Sequence, residues 1–313
     1  MPSIYNFTNI TVTLGFYSMI AVSAFGILTN LLNIQVSVRK EMRKTAMGFY
    51  NIIISTINCI YLSLALINGN YLTTSQYACI LIPYFLRVMY QMSSWLNVMI
   101  LFDRMILITH NKRRINEVDN FEFNLRKVSL VVFGLLAILC FINVPNLLFH
   151  LQTQTFYNSV ANTTIVYLSC TSDSKIILIR DILSSVSRVF LPLIIGTIIN
   201  GILISKLLRY KPTTGIVSQD RELKFAKTII ILNVIYGVSN LISVVTLVLI
   251  NVYGYNQTLI STTSNESAIA SFAYVCANIF GAFVNCDLIF FVNILSNRRF
   301  REEADQLLNR NRF

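Results

Sequence analysis

The residues of this chain that could do chemistry are a few charged side chains set inside long apolar stretches. Asp103 and Arg104 stand side by side at the end of one stretch, before a basic cluster, and Arg87 and Arg188 interrupt two others. A guanidinium group can hold a carboxylate, phosphate or sulfate through paired hydrogen bonds, and it can form an ion pair with an acid. These residues therefore predict a site that binds a charged group, either of a ligand or of the protein itself.

Catalytic and metal chemistry have few candidates in this sequence. The chain contains only two histidines, His110 and His150, whereas a membrane metallohydrolase needs several His and acid ligands inside its spans. We therefore expect no enzyme activity, no bound metal and no cofactor.

Long apolar segments must position the charged residues. Hydrophobic residues make up 55% of the chain, and the ranges 1–38, 45–86, 128–172 and 228–265 contain no charged residue. About 20 apolar residues cross a bilayer as a helix, and the alternation of a barrel strand is absent. The predicted fold is an all-α membrane protein, a bundle of seven transmembrane helices with approximate spans 12–38, 46–68, 79–109, 127–149, 178–207, 223–250 and 268–294.

The distribution of Lys and Arg predicts the orientation of the bundle. Of the 25 basic residues, 21 lie in or beside the loops after spans 1, 3 and 5 or in the tail. The positive-inside rule assigns that side to the cytoplasm, so the amino terminus is outside. The net charge of +11 follows from this topology, and we expect a lipid bilayer and no nucleic acid as a partner.

Glycosylation acceptor sequences give an independent indication of the same orientation. All five lie in segments that the charge distribution places outside, and we expect sugars at Asn6, Asn9, Asn162, Asn256 and Asn265. No basic stretch precedes span 1, so we expect this span to direct insertion itself. The predicted organisation is an extracellular tail (1–11), a transmembrane domain (12–295) and a cytoplasmic segment (296–313).

Two cysteines lie on the predicted outer side. Cys79 begins span 3, and Cys170 lies in the long loop before span 5. Both face an oxidising compartment, so we predict a disulfide between them. The other cysteines lie within spans, where packing is the expected role: Cys59, Cys140, Cys276 and Cys286.

These features resemble a rhodopsin-like G-protein-coupled receptor over nearly the whole chain. The segment FDRMILITH is similar to the family's Asp-Arg-aromatic motif, with Met105 in place of the aromatic residue. The spacing from Cys79 to Asp103 also matches the family's. Asn30 suits the regular asparagine of span 1, and Pro192 suits the proline of span 5.

The segment after span 7, NRRFREEADQLL, resembles the short amphipathic eighth helix of that family. Its apolar residues fall on one helical face, which can lie on the inner leaflet: Phe300, Ala304, Leu307 and Leu308.

Several positions depart from the family pattern. Asn58 replaces the span 2 acid, span 6 has YGVSN (Tyr236 to Asn240) instead of Cys-Trp-x-Pro, and span 7 has NCDLIFFVN instead of Asn-Pro-x-x-Tyr. An aromatic residue followed four positions later by Asn is similar to some invertebrate peptide receptors of the FMRFamide type. The chain thus resembles a divergent, chemosensory-like invertebrate receptor with altered activation switches.

The resemblance implies a switch at Arg104. In the family this arginine pairs with its neighbour or with a span 6 acid in the inactive state, and it contacts the heterotrimeric G protein in the active state. Counting from Tyr236 puts Glu222 at the place of that acid, so an Arg104–Glu222 ion pair is our hypothesis. The alternative is that Asp103 and Arg104 only mark the membrane edge.

Four polar residues of spans 1, 2 and 7 could meet inside the membrane: Asn30, Asn58, Asn285 and Asp287. In the family the corresponding region binds sodium through the span 2 acid, and Asp287 could supply that charge from span 7. The alternative, which we favour, is an interhelical hydrogen-bond cluster without an ion.

The ligand is expected among spans 3, 5, 6 and 7. Leu86 occupies the place where amine receptors carry an Asp, so a biogenic amine would lack its counter-ion. Arg87 and Arg188 could instead hold an acidic group, or reach the outer headgroups, or pair with Asp181. The candidate pocket residues are Leu86, Arg87, Tyr90, Ser184, Arg188 and Asn240.

The predicted function is a plasma-membrane receptor that binds an extracellular peptide or small molecule and activates a heterotrimeric G protein. An odorant-receptor channel of the insect kind would have its amino terminus inside. A light receptor would need a lysine in span 7, and residues 268–294 contain none. A polytopic transporter or channel remains the alternative.

Overall fold

A computed structural model describes residues 2–43, 45–71, 75–110, 125–158, 163–208, eight positions between 234 and 245, 265–296 and 298–310. For some residues inside these ranges, Arg104 among them, the backbone is described and the side chain is not.

The described chain is predominantly helical. Its helices are α1 (Pro2–Ser37), α2 (Lys40–Arg43), α3 (Ala46–Tyr71), α4 (Gln76–His110), α5 (Leu125–Ile142), α6 (Ser174–Ser185), α7 (Leu191–Leu208), α8 (Asn265–Ala282), α9 (Leu288–Ser296) and α10 (Arg298–Arg310). Two π-helical turns, Val186–Phe190 and Phe283–Asp287, join α6 to α7 and α8 to α9. The described positions between 234 and 245 are helical too.

Among the described residues, four helical segments are long and apolar enough to cross a bilayer, as expected of a membrane protein: Thr13–Ser37, Met47–Ile67, Ser174–Lys206 and Phe272–Leu295. They correspond to predicted spans 1, 2, 5 and 7. A shorter apolar helix, Val128–Ile142, lies within predicted span 4. Predicted span 3 lies within the 35-residue helix α4, and most of predicted span 6 lies outside the described residues.

The outward surface of the helices is strongly apolar. On α5 the exposed fractions of Leu130, Phe133 and Phe141 are 72%, 68% and 80%. Such a surface is unfavourable in water and favourable against lipid acyl chains.

Side-chain caps mark where three helices begin. The Thr45 hydroxyl accepts a hydrogen bond from the Gly48 amide (3.0 Å), and the Ser75 hydroxyl accepts one from the Ala78 amide (3.1 Å). The Asp173 carboxylate accepts one from the Lys175 amide (2.9 Å). These residue types are favoured at helix starts because their side chains bind amides that lack an intrahelical partner.

The all-α prediction omitted a two-stranded antiparallel sheet. Strands β1 (His150–Asn158) and β2 (Thr163–Thr171) pair with Leu151 opposite Cys170.

Span 4 was predicted too long, because α5 ends at Ile142 and a 3-10 turn (Val144–Leu148) follows. Proline near the start of that turn cannot continue the α-helical hydrogen bonds. Conversely, α1 already begins at Pro2, within the predicted tail.

The hairpin of β1 and β2 is fastened to the start of α4. A disulfide joins Cys79 to Cys170. The Gln76 side chain donates to the Phe149 carbonyl (3.2 Å) and accepts from the Leu151 amide (2.8 Å). This end of the bundle is therefore tied by one covalent and two polar links.

The opposite end of the bundle carries α10. Phe300 and Ala304 are buried against Val36 and Met42, and Leu307 packs beside them. Much of the apolar stripe of α10 thus contacts α1 and α2. The basic residues of α2 lie at this same end.

Candidate functional site

A cavity of about 580 Å³ lies beside the disulfide, between α1, α3, α4, α6 and α8. Five of the predicted pocket residues line it: Leu86, Arg87, Tyr90, Ser184 and Arg188. The sixth, Asn240, lies outside the described residues. The volume falls in the range of small-molecule binding sites.

Charged groups line the wall that α4 and α6 share. Arg87 Nη2 lies 3.2 Å from Asp181 Oδ1, and Arg180 Nη2 lies 2.9 Å from the same oxygen. The pairing of Arg87 with Asp181 is one of the alternatives that the sequence left open. Arg180 is an additional cation that the sequence analysis did not select.

Aromatic rings form much of the remaining surface. The guanidinium carbon of Arg188 lies 3.9 Å from the centre of the Tyr90 ring, and that of Arg180 lies 4.6 Å from the centre of the Phe149 ring. Tyr61 meets Tyr90 edge to face at 5.1 Å. Cations over aromatic faces are held by the ring quadrupole, which orients both groups at the cavity wall.

A buried amide network supports the cavity wall. Asn143 Nδ2 donates to Gln91 Oε1 (2.6 Å), and Gln91 Nε2 donates to the Ser184 hydroxyl (3.4 Å). Trp95 Nε1 donates to the Ser187 carbonyl (2.9 Å). These bonds connect α4 to the end of α5 and to the α6 segment, so they fix the helices that carry the arginines.

The predicted polar cluster forms between α1, α3 and the second π turn. Asn30 Nδ2 donates to the Cys286 carbonyl (2.7 Å), and Asn58 Nδ2 donates to Asn30 Oδ1 (3.3 Å). Asn285 Nδ2 donates to the Tyr90 hydroxyl. Since Tyr90 also lines the cavity, this last bond connects the cavity to the cluster.

A second amide chain extends the cluster toward α10. Asn293 Nδ2 donates to Asn33 Oδ1 (3.0 Å), and Asn33 Nδ2 donates to the Ser55 hydroxyl (2.6 Å). All three residues are buried. Interhelical hydrogen bonds of this kind join α1, α3 and α9 inside the bundle.

Asp287 is fully buried in this cluster, and neither of its carboxylate oxygens has a hydrogen-bond partner among the described residues. Asn58 Oδ1 and Asn285 Oδ1 are likewise unpartnered within the described chain. Carboxylate and amide oxygens suit a hard cation, so these residues fit the sodium ion that the family resemblance implies. They equally fit a hydrogen-bond network completed by water.

Replacing Asp287 by asparagine is expected to stabilise the unliganded protein by about 1–2 kcal/mol, because a buried carboxylate without a partner costs more than a neutral amide of the same shape. Thermal unfolding of the purified protein in sodium-free detergent buffer measures the effect. Asp305→Asn, at an exposed site on α10, is the matched control and should change nothing.

Salt distinguishes the two interpretations of this cluster. If a sodium ion neutralises Asp287, then sodium but not choline will stabilise the wild type, and Asp287→Asn will remove the difference. Equal stability in both salts would favour the network without an ion.

Asp103 and Arg104 occupy the last two turns of α4, at the end opposite the cavity. Asp103 is half-buried. The side chain of Arg104 and the whole of Glu222 lie outside the described residues, so the ion pair between them stays a prediction. The acceptors Asn162 and Asn256 and the side chains of Asn6, Asn9 and Asn265 also lie outside the described part.

Arg180 could have been predicted from its spacing in the sequence. Arg180, Ser184 and Arg188 are four residues apart, the spacing that repeats on one helical face. All three line the cavity. Once Ser184 and Arg188 were selected, the same spacing pointed back to Arg180.

Comparison with known proteins finds no family model that matches the chain and no curated protein with significant similarity. The functional assignment therefore depends on the residues and the geometry described above.

Proposed function

We propose that this chain is a G-protein-coupled receptor of the plasma membrane. It has seven transmembrane helices, an extracellular amino terminus and a cytoplasmic amphipathic helix at α10. The observation that carries the proposal lies on α4, where Arg87 and Tyr90 line the cavity and Asp103 and Arg104 occupy the far end. At a rise of about 1.5 Å per residue, the segment from Tyr90 to Asp103 covers about 20 Å.

A ligand in the cavity acts on the bundle through Tyr90. This residue packs under Arg188 and accepts a hydrogen bond from Asn285, in the π turn that also carries Asp287. A ligand that binds Arg188 more tightly in one arrangement of these groups shifts the population toward that arrangement. The polar cluster couples α4 to α1, α3 and the α8–α9 segment, which gives the shift a route to the cytoplasmic end.

The outcome at the cytoplasmic end is G-protein binding. Span 6 moves outward and Arg104 becomes available to a heterotrimeric G protein, assisted by basic residues of the inner loops. The chain transmits a binding signal and catalyses no reaction on this proposal.

Basal signalling in cells tests the proposal. At matched surface expression, Arg104→Ala should reduce G-protein activation at least about tenfold, since it removes the contact to the G protein. Glu222→Ala should raise basal activation about fivefold, because it removes an ion pair of about 1 kcal/mol that holds the inactive state. Arg301→Ala, at an exposed site on α10, serves as the charge-matched control and should leave signalling unchanged.

The outcomes distinguish three hypotheses: the receptor function, the Arg104–Glu222 ion pair and a transport function. Loss of signal in Arg104→Ala with no change in Glu222→Ala would keep the receptor and remove the ion pair. Absence of coupling from every variant to a broad panel of G proteins, together with solute flux in the same cells, would favour the transporter.

A further inference from the structure

We infer that the ligand of the cavity is a soluble organic anion, with an oxyanion head group held by Arg87, Arg180 and Arg188 and an apolar or aromatic body. That this anion is an agonist rests on the proposed receptor function. That it binds rests only on the cavity, and separate experiments test binding and agonism.

Cationic charge exceeds anionic charge at the wall that α4 and α6 share. Three guanidinium groups line the cavity. Arg87 and Arg180 both bind the same oxygen of Asp181, so one negative charge is shared by two cations. The formal charge of these three side chains, Arg87, Arg180 and Asp181, is +1. Excess charge in a partly desolvated site is costly, and an anionic ligand offsets that cost.

The arginine side chains point toward the cavity. Lysine and arginine near a membrane edge often extend to the headgroups, where the guanidinium is well exposed. Here the side chains of Arg87 and Arg180 are only 28% and 16% exposed, and they face the cavity. One helical segment contributes three residues to the cavity lining, Arg180, Ser184 and Arg188. In the sequence, the hydroxyl side chain lies between the two guanidinium side chains. Paired donors of this kind match the oxygens of a carboxylate, sulfate or phosphate.

The remaining walls of the cavity fit a hydrophobic ligand body. A bare inorganic anion would leave most of the 580 Å³ cavity unfilled. The walls away from the arginines are apolar and aromatic, and they include Phe16, Ile20, Tyr61, Leu86 and Tyr274. A hydrophobic body buried there supplies affinity in addition to the ionic contacts. A cationic ligand is disfavoured, because the carboxylate of Asp181 is already bound by two arginines.

Matched probes with one body and different heads test this inference on the purified full chain in nanodiscs of neutral phosphatidylcholine. The probes are 2-naphthylacetate (anion), 2-naphthaleneethanol (neutral) and 2-(2-naphthyl)ethylamine (cation), with inorganic sulfate as a head group alone. Ligand-dependent thermal unfolding is followed by the reaction of the buried Cys286 thiol with a fluorogenic maleimide, in a Cys276→Ser background that removes the exposed free thiol. The anion should stabilise the protein at a concentration at least about tenfold lower than the alcohol, and the amine should have no effect. Equal effects of the three probes would overturn the inference.

Substitutions then assign the binding to the arginines. Arg87→Gln, Arg180→Gln and Arg188→Gln should each weaken 2-naphthylacetate binding about tenfold, whereas Arg301→Gln, on α10, should not. Arg188→Lys retains the charge and should bind the anion with intermediate strength even if the glutamine variant unfolds. Unchanged binding in all the cavity variants would overturn the assignment.

Asp181→Asn is the most informative variant, because a structural role and an electrostatic role of Asp181 predict opposite changes in the affinity for the anion. Removal of the competing carboxylate should strengthen anion binding about fivefold to tenfold, provided that the unliganded variant stays folded. If Asp181 only held the arginines in position, the same variant would bind the anion more weakly.

Further experiments identify the source of the oxyanion and distinguish failure of this inference from failure of the receptor proposal. Stabilisation by nanodiscs containing phosphatidylglycerol, lost in Arg188→Gln, would assign the oxyanion to a lipid and overturn the soluble ligand. Anion-selective binding without any anion-dependent G-protein activation would keep the site and remove the receptor function. Coupling that depends on Arg104 without anion-selective binding would keep the receptor and overturn the anionic ligand.

Discussion

Replacing Gly26 by alanine is expected to destabilise the protein by about 3 kcal/mol. A Cβ atom at this position would overlap Asp287 Oδ1 and would lie 2.6 Å from the Leu62 side chain and 3.0 Å from Asp287 Cγ. Leu62 and Asp287 are fully buried, so neither can move into open space. Overpacking of a buried helix contact costs about 1–3 kcal/mol or more, because neighbouring side chains and backbone must shift.

The hydrogen bonds around Gly26 increase the expected cost. Its carbonyl accepts from Asn30 Nδ2 (2.7 Å) and from the Thr29 hydroxyl (3.0 Å). A shift of α1 away from Asp287 would also disturb the Asn30 bond to Cys286. The substitution therefore acts on the polar cluster as well as on packing.

Two other glycines provide matched controls. A Cβ atom at Gly134 or Gly201 would meet nothing within 4 Å. Gly134→Ala and Gly201→Ala should therefore be neutral or slightly stabilising, since alanine is the better helix former. The measurement is thermal unfolding in one detergent for all three variants.

A double variant tests the cause. Asp287→Ala removes the overlapping carboxylate, so Gly26→Ala should cost much less in the Asp287→Ala background than in the wild type, and this recovery is measured against the Asp287→Ala single variant. If Gly26→Ala matches the two control glycines, or if Asp287→Ala gives no recovery, the close contact between α1 and the second π turn is wrong.

The features that sequence could predict are those visible in local composition. Apolar length indicated the helical segments, and arginines in apolar surroundings indicated two residues of the cavity wall, Arg87 and Arg188. The ion-pair partners of those residues were harder to predict from the sequence. Asp181 binds Arg87 of α4 and its own neighbour Arg180 in α6, and only the pairing with Arg87 was considered from sequence.

Features that depend on a local change of helical geometry were not predictable. The π turn at Phe283–Asp287 adds no hydrophobic signal and was not predicted, although Asn285 and Asp287, which it contains, were expected in the polar cluster. Similarly, the contact of Gly26 with Asp287 joins residues far apart in sequence. Neither is encoded by periodicity or by a motif.

The hairpin was missed for a different reason. Its strands contain Thr, Ile, Val and Tyr, residue types that favour extended structure, but they lie in a segment between two apolar runs that was read as an outer loop. Cross-strand pairing supplies the remaining stability, and the partner strand cannot be identified from either segment alone.

Removing the disulfide is expected to lower the free energy of unfolding by about 2–4 kcal/mol. Cys79 and Cys170 are 91 residues apart, and closing a loop of this length in the unfolded chain corresponds to roughly 4–5 kcal/mol in the chain-entropy model. We expect less than that, because helices that persist in detergent already restrict the unfolded chain. Thermal unfolding of the double variant Cys79→Ser/Cys170→Ser measures the loss, with Cys276→Ser, an exposed free thiol, as control.

The same variant should lose ligand binding to a larger extent than its global stability suggests. Cys170 lines the cavity, and after its loss the hydrogen bonds of Gln76 still link the start of α4 to the hairpin region, among the described residues. A hairpin that moves away exposes Arg87 and Arg180 to water, which weakens their contacts with any anion. We therefore expect binding of 2-naphthylacetate to fall at least about tenfold at a temperature where the double variant remains folded. Unchanged affinity would mean that the hairpin does not form part of the binding wall, and the cavity would then have to bind its ligand through α4, α6 and α8 alone.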